Sequence, residues 1–249
     1  MFENVIKFKA CKEYVENNKD IFPVPTKTNI PEWFKKLEHS ATNQTIKGCI
    51  PFLETLTSGY LLKMPIDYLI EHNVDFKDKK QAGFMTGIYP DNNLSNKINI
   101  NYTDRPSSHP IKQLGGSPLV DKNKKLPFHK ILNPWQIETP PGYSTLFVPP
   151  LNNSDDRFSI IPGIVDTDSF VNTHEINFPI VINGDKYETL CSTIKRGTPY
   201  VQLIPFKRDD WKMKIENTED NKISVNKFFQ VKHVVHNYKK VFWRKKSWK

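Results

Sequence analysis

The 249-residue sequence holds only three cysteines, Cys11, Cys49 and Cys191, widely separated and odd in number. That excludes a disulfide framework or a thiolate zinc cluster, which need paired or closely spaced thiols. The three are expected to be small buried residues in a reducing compartment. No apolar run approaches the ~18 residues of a membrane span. Charges interrupt the opening "MFENVIKFKACKEYVE", where a secretory signal would be apolar. The expected setting is the interior of a cell or an assembled particle. Glycine is scarce, 10 residues against 19 prolines. Proline breaks helix interiors and central strands, so short segments with irregular connections are expected. Metal-ligand spacings are missing too. His109 and His129 stand singly, and His174-Glu175 lacks the His-X-Asp spacing of a facial iron triad. No metal site is expected.

Acids are absent from Lys222 onward, where nine Lys or Arg residues fall. The other 27 basic residues balance the 27 acids, so the body is neutral and the whole net charge of +9 belongs to the tail. The charge therefore describes what the tail touches. In the tail Phe228, Val231, Val235, Tyr238 and Phe242 recur at steps of three and four, which predicts an amphipathic basic helix within 220–249. Three roles fit it: docking on this body or a neighbouring subunit, phosphate contact with nucleic acid, or a membrane surface. Contact residues would be Lys239, Lys240, Arg244, Lys245 and Lys246, with Trp243 and Trp248 suited to a protein groove or to stacking on single strands.

What the chain has in quantity is aromatic side chains, 12% of its residues, enough bulk for a real core. Residues 1–10 alternate weakly and could form an edge strand. "PEWFKKL" opens on Pro31 as a short helix, and residues 46–70 should give a short helix and then strands. Residues 71–125 are polar, with turns expected at "YPDNN" and "QLGGSP". From Lys130 onward strands recur every ~8–12 residues between turn signals, as in an antiparallel sandwich or barrel. No helix of three turns fits between 130 and 206.

Four stretches follow in order: "PPGYSTLFVPP", "PGIVDTDSF", "PIVIN" and "TIKRGTPYVQLIPF". In this order they resemble the dUTPase and dCTP-deaminase superfamily, over about a third of the chain. The resemblance implies a mainly β fold. It has a dUTPase-like β-clip or barrel core at 130–212, an α+β N-terminal elaboration packed on it at 1–129, and the basic C-terminal helix. It also implies a homo-oligomer, with a trimer favoured. Asp166 would be the base or water-orienter, with Asn152, Asp168, Phe170 and Gln202 as ligand contacts. No cofactor is expected, except Mg²⁺ if a nucleotide is bound. Longer strings, "IPEWFKKL" through "YVQLIPFKRDDWK", resemble a family of uncharacterised tailed-phage and bacterial proteins. That implies a host cytoplasm or virion and phage or host protein partners.

Taken on their residues alone, Asp166 and Asp168 admit three readings: a β-turn whose carboxylates bond their own backbone, a ligand or water site, or a metal site. Gln202 either satisfies buried backbone or reads a base. Where the superfamily binds phosphate through an arginine, this chain has "VPPLNNSDD", and Asp155 and Asp156 would repel an anion unless Mg²⁺ intervened. The leading expectation is thus a non-enzymatic structural or assembly-related phage protein whose core oligomerises and whose tail docks on partners. The alternatives are a nucleotide-binding, nucleotide-hydrolysing or deaminating enzyme, and a nucleic-acid-binding protein acting through the tail.

Overall fold

A computed structural model describes residues 4–40, 42–73, 85–90, 108–170, 176–217 and 238–249. The fold is mainly β, in several antiparallel sheets. The short strand β1 (Lys7–Lys9) pairs with β8 (Gln136–Glu138) in a two-stranded ribbon. Helix α1 (Lys12–Asn17) and a 3-10 turn at Lys19–Ile21 lead to β2 (Val24–Pro25). Helix α2 (Glu32–Lys36) begins after Pro31, whose fixed φ and missing N–H suit a helix start. Helix α3 (Ile50–Thr55) then runs into β3 (Tyr60–Lys63) and β4 (Tyr68–Asn73). Strand β5 (Met85–Pro90) pairs with β4 inside the stretch that reads as polar connection. A two-residue β6 (Ser108–His109) precedes the capped helix α4 (Pro118–Lys122), where the Ser117 hydroxyl accepts from the Leu119 N–H at 3.2 Å.

From there strands follow one another: β7 (Phe128–Ile131), β9 (Tyr143–Val148), β10 (Phe158–Ile160), β11 (Gly163–Val165), β12 (Phe178–Ile182), β13 (Thr189–Ile194) and β14 (Pro199–Lys207). The largest sheet has the order β11-β9-β14-β3-β2. A second runs β10-β12-β7-β6, and a third β13-β4-β5. N-terminal strands thus complete sheets with C-terminal ones: β3 lies against β14, and β4 against β13.

The core lies between these sheets. Phe147, Phe178 and Tyr200 form a chain of tilted and edge-on ring contacts with centroids 5.4 and 5.7 Å apart. Trp135 receives Tyr14 and Phe22 edge-on, each at 5.5 Å. Such contacts place the positive ring edge on the negative face, and the burial of these large side chains supplies most of the stabilisation. The turn from α3 into β3 depends on Gly59. Its φ is +71°, and a Cβ there would meet the Leu203 carbonyl oxygen of β14 at 2.0 Å, so any side chain would push the strands apart.

The basic tail helix expected within 220–249 falls mostly outside the described residues, as do Phe228, Val231 and Val235 of its stripe. Among the described residues, Tyr238–Phe242 form one wide π-helical turn, and residues 243–249 continue without helix. Contacts with the body account for this departure from the helical period. Trp243 donates its indole N–H to Glu54 at 2.8 Å, Lys246 pairs with the same carboxylate, and Tyr60 donates its hydroxyl to the Lys249 carbonyl at 3.1 Å. Trp248 stands edge-on to Tyr60. Neighbouring segments here answer to fixed points on α3 and β3 rather than to a 3.6-residue stripe.

Candidate functional site

"GIVDTDSF" occupies an edge of the largest sheet. Gly163, Ile164 and Val165 pair with Phe147, Leu146 and Thr145 of β9. The chain then turns, and the Asp166 carbonyl accepts from the N–H groups of Ser169 and Phe170 at 3.1 and 2.9 Å. Within this turn Thr167 points inward and is buried. Its hydroxyl lies 2.7 Å from that of Thr139 and 2.8 Å from that of Thr145, all three buried. Asp166 and Asp168 point the other way.

They meet a residue that the sequence motifs do not single out. Arg208, one position past the end of β14, pairs with both carboxylates: at 3.3 Å with Asp166, and through two guanidinium nitrogens with Asp168. Asp168 also accepts the Gly142 N–H at 2.8 Å, and Arg208 donates its own N–H to the Gly142 carbonyl at 2.8 Å. Gly142, Asp168 and Arg208 thus form a closed set of bonds that fixes the "TPPGY" turn, the end of β11 and the end of β14 together. The Arg208 guanidinium and then the Gly142 amide hold the Asp168 carboxyl down at about 2. Asp166 accepts from the buried Ser144 hydroxyl at 2.6 Å, while its own side chain is 61% exposed. Both carboxylates therefore bond partners outside their own turn.

Beside this clamp lies a cleft of about 260 Å³ lined by Val5, Lys7, Glu138, Thr139, Pro140 and Pro141. Its ionisable groups are engaged with each other. Glu138 binds Lys7 at 2.7 Å and also Lys9, and those two ammonium groups lower its carboxyl pKa.

Gln202 and Asn152 stand elsewhere. Gln202 lies opposite Val148, whereas Asp166 continues from the Val165–Thr145 pair and is level with Ser144. Four residues of β9 separate the two levels, roughly 13 Å. One chain does not bring these residues into one pocket. Gln202 is fully buried, and its amide engages three backbone groups. Its oxygen accepts from the Leu151 N–H at 2.8 Å, and its nitrogen donates to the carbonyls of Thr55 and Ser58 at 3.0 and 2.7 Å. Asn152, with a φ of +56°, donates to the Thr55 hydroxyl at 2.7 Å. Both residues tie the C-terminus of α3 to the loop after β9. Phe170 is 38% exposed at the end of the "TDSF" turn.

The two acids after "VPPLNN" are neutralised in the fold. Arg157, the next residue, grips Asp155 through Nε and Nη2 and reaches the Ser192 hydroxyl and Thr193 carbonyl with Nη1. Asp156 pairs with Lys186 and accepts from Tyr187. The repulsion expected from an unpaired Asp155–Asp156 couple is thereby removed by pairing.

Among the described residues no group of three or more His, Cys, Asp or Glu is placed to hold a metal ion, and no helix is long and apolar enough to cross a membrane. His174 and Glu175 lie outside the described residues. Of the tail residues, Trp243, Lys246 and Trp248 contact the body, and Lys239, Lys240, Arg244 and Lys245 are exposed. No known family model matches the chain, and no curated protein matches it.

Proposed function

We propose that this chain is a non-enzymatic structural or assembly-related protein, of the phage-encoded kind that the sequence resemblance implies, with a β core that associates into a homo-oligomer. The observation that carries this reading is the use made of Asp168 and Gln202. A ligand-binding amide or carboxylate needs bonding capacity to spare. Gln202 directs its amide to three backbone groups, and Asp168 directs its carboxylate to Arg208 and the Gly142 amide. A general base must also reach a water beside its substrate. Asp166 shares its carboxylate with the Ser144 hydroxyl and the Arg208 guanidinium.

A panel of nucleoside triphosphates with Mg²⁺ tests the reading. The expected result is no phosphate release, no deamination and no shift in melting temperature with any nucleotide. Turnover that disappears in Asp166→Asn would overturn it in favour of the enzyme.

A further inference from the structure

Beyond Arg208 the chain leaves the sheet with the sequence pattern of a further strand. In "DDWKMKIEN" apolar residues alternate with charged ones: Trp211, Met213 and Ile215 against Lys212, Lys214 and Glu216. The segment carries no helix, turn or bend. Lys214 pairs with Glu216 two positions on, which requires both on one side of the chain. Trp211, Met213 and Ile215 then share the opposite side, and they are 89%, 89% and 87% exposed. No backbone N–H or carbonyl of residues 209–217 bonds to another described residue. A period-two apolar face is the pattern of a half-buried strand, and among the described residues it has neither a buried face nor a ladder partner.

The next most exposed large apolar side chain among the described residues is Ile164, at 63%. It lies on β11, an edge strand of the largest sheet with no outer partner among the described residues, in a cross-strand row with Leu146 and Ile204. An open edge with an exposed β-branched residue is a template for another strand. The longer edge strand β13, of six residues, exposes Thr189 and Cys191 instead and offers a less apolar surface.

The arm cannot bring its whole apolar face to β11 of its own chain. Arg208 is pinned to Gly142 and Asp168. A strand outside β11 would lie three strand spacings from β14, roughly 14 Å. Three residues from Arg208 to Trp211 span at most about 10 Å. One donor strand and one acceptor edge that a single chain cannot join are complementary between copies. Exchanged reciprocally about a two-fold axis they close a dimer, and head to tail they make a ring where the rotation closes and a filament where it does not.

We propose that residues 209–217 are an exchanged arm, added as a strand to the β11 edge of a second copy so that Trp211, Met213 and Ile215 cover the Ile164 row. This deepens the assembly reading and rests on it. The experiment is sedimentation and light scattering on the full chain, compared with the double variant Trp211→Lys/Met213→Lys. These side chains are almost wholly exposed, so the variant should fold, which its circular dichroism spectrum would verify. The expected result is a wild-type oligomer and a monomeric variant. A second measurement places the contact. Met213→Cys and Ile164→Cys chains, both carrying Cys11→Ser and Cys191→Ser, are co-expressed with different tags and oxidised. A disulfide between differently tagged chains is expected, and it should be absent when either cysteine is alone. A monomeric wild-type chain, an oligomer unchanged by the double lysine variant, or no inter-chain disulfide would each overturn the exchange. Nucleotide turnover would instead overturn the assembly reading and leave these outcomes unaffected, so the two failures are distinguishable.

Discussion

The two ends of the β9–β14 ribbon carry the residues that sequence motifs single out, and they solve the same problem with opposite chemistry. At one end Gln202 holds a loop and a helix terminus through three neutral bonds in the dry interior. At the other, Asp168 and Arg208 hold a turn and two strand ends through charged bonds nearer the surface. An interior amide is effective because each group it leaves behind would be buried and unpaired. A surface ion pair is replaceable by water and screened by salt. Motif position alone cannot separate these cases. The partner groups do.

The neutral end should prove the more costly to break. Gln202→Leu keeps the volume but strands the Leu151 N–H and the carbonyls of Thr55 and Ser58. At about 1–3 kcal/mol for each orphaned group, a loss of about 3 kcal/mol or more is expected in chemical denaturation. If the midpoint hardly moved, water would be reaching those groups and the contrast between the two ends would collapse.

Arg208→Ala at the charged end should lower the melting temperature less than Gln202→Leu does, and the gap should narrow at low salt, where the lost ion pair counts for more. Asp168→Asn should resemble it, and the Asp168→Asn/Arg208→Ala double variant should cost less than the two losses added, because both break one interaction. The pH dependence has a fixed sign. The folded Asp168 carboxyl is depressed to about 2 from the ordinary 3.8. Its contribution is therefore full above the ordinary value and disappears as pH falls from there through about 2. Asp166→Asn should have a smaller effect than either, since its side chain is mostly exposed and an asparagine oxygen can still accept from Ser144.

The strands from β7 to β14 were legible because alternation and turn residues coincide there: "TPPGY", "IIPGI" and "KRGTP" each end a β-branched or aromatic run. The α3–β3 break at "LTSGY" was legible for the same reason. The "PGIVDTDSF" turn could be placed from sequence, but its partner could not. Arg208 lies forty residues from Asp168 and joins it only because β14 runs beside β9. Its one local signal is that it is the cation at the end of "VQLIPFK", where a strand gives way to charge. Arg157 was closer at hand, directly after Asp156, and its pairing with Asp155 across that one residue helps explain why those acids do not repel. The polar composition of 71–125 gives no sign of strand β5, whose pairing with β4 is a choice made between separate segments. In the tail, periodicity measures a possible stripe, whereas residues 243–249 continue without helix and answer to Glu54 and Tyr60.

The smallest expected effect concerns that tail, whose described residues 238–249 contrast with both ends of the ribbon in being attached to the body at a few points. Burial alone would raise the Glu54 carboxyl, but the bonds from Lys246 and Trp243 outweigh it and lower the pKa below the ordinary 4.5. A depressed folded value means that docking is favoured above 4.5 and weakens as pH falls through the folded value, when protonation removes the charge that Lys246 pairs with. Glu54→Gln should mimic this at neutral pH. The amide oxygen can still accept from Trp243, so the attachment weakens without vanishing. Tryptophan fluorescence would record the change, with Trp243 and Trp248 becoming more accessible to a soluble quencher while the unfolding midpoint of the body hardly moves. A large drop in that midpoint would mean that the tail end is a structural part of the β3 side of the sheet, as firmly held as the Gln202 clamp. Unchanged quenching at both neutral and acid pH would mean that Tyr60 and the Lys249 carbonyl, rather than Glu54, carry the attachment.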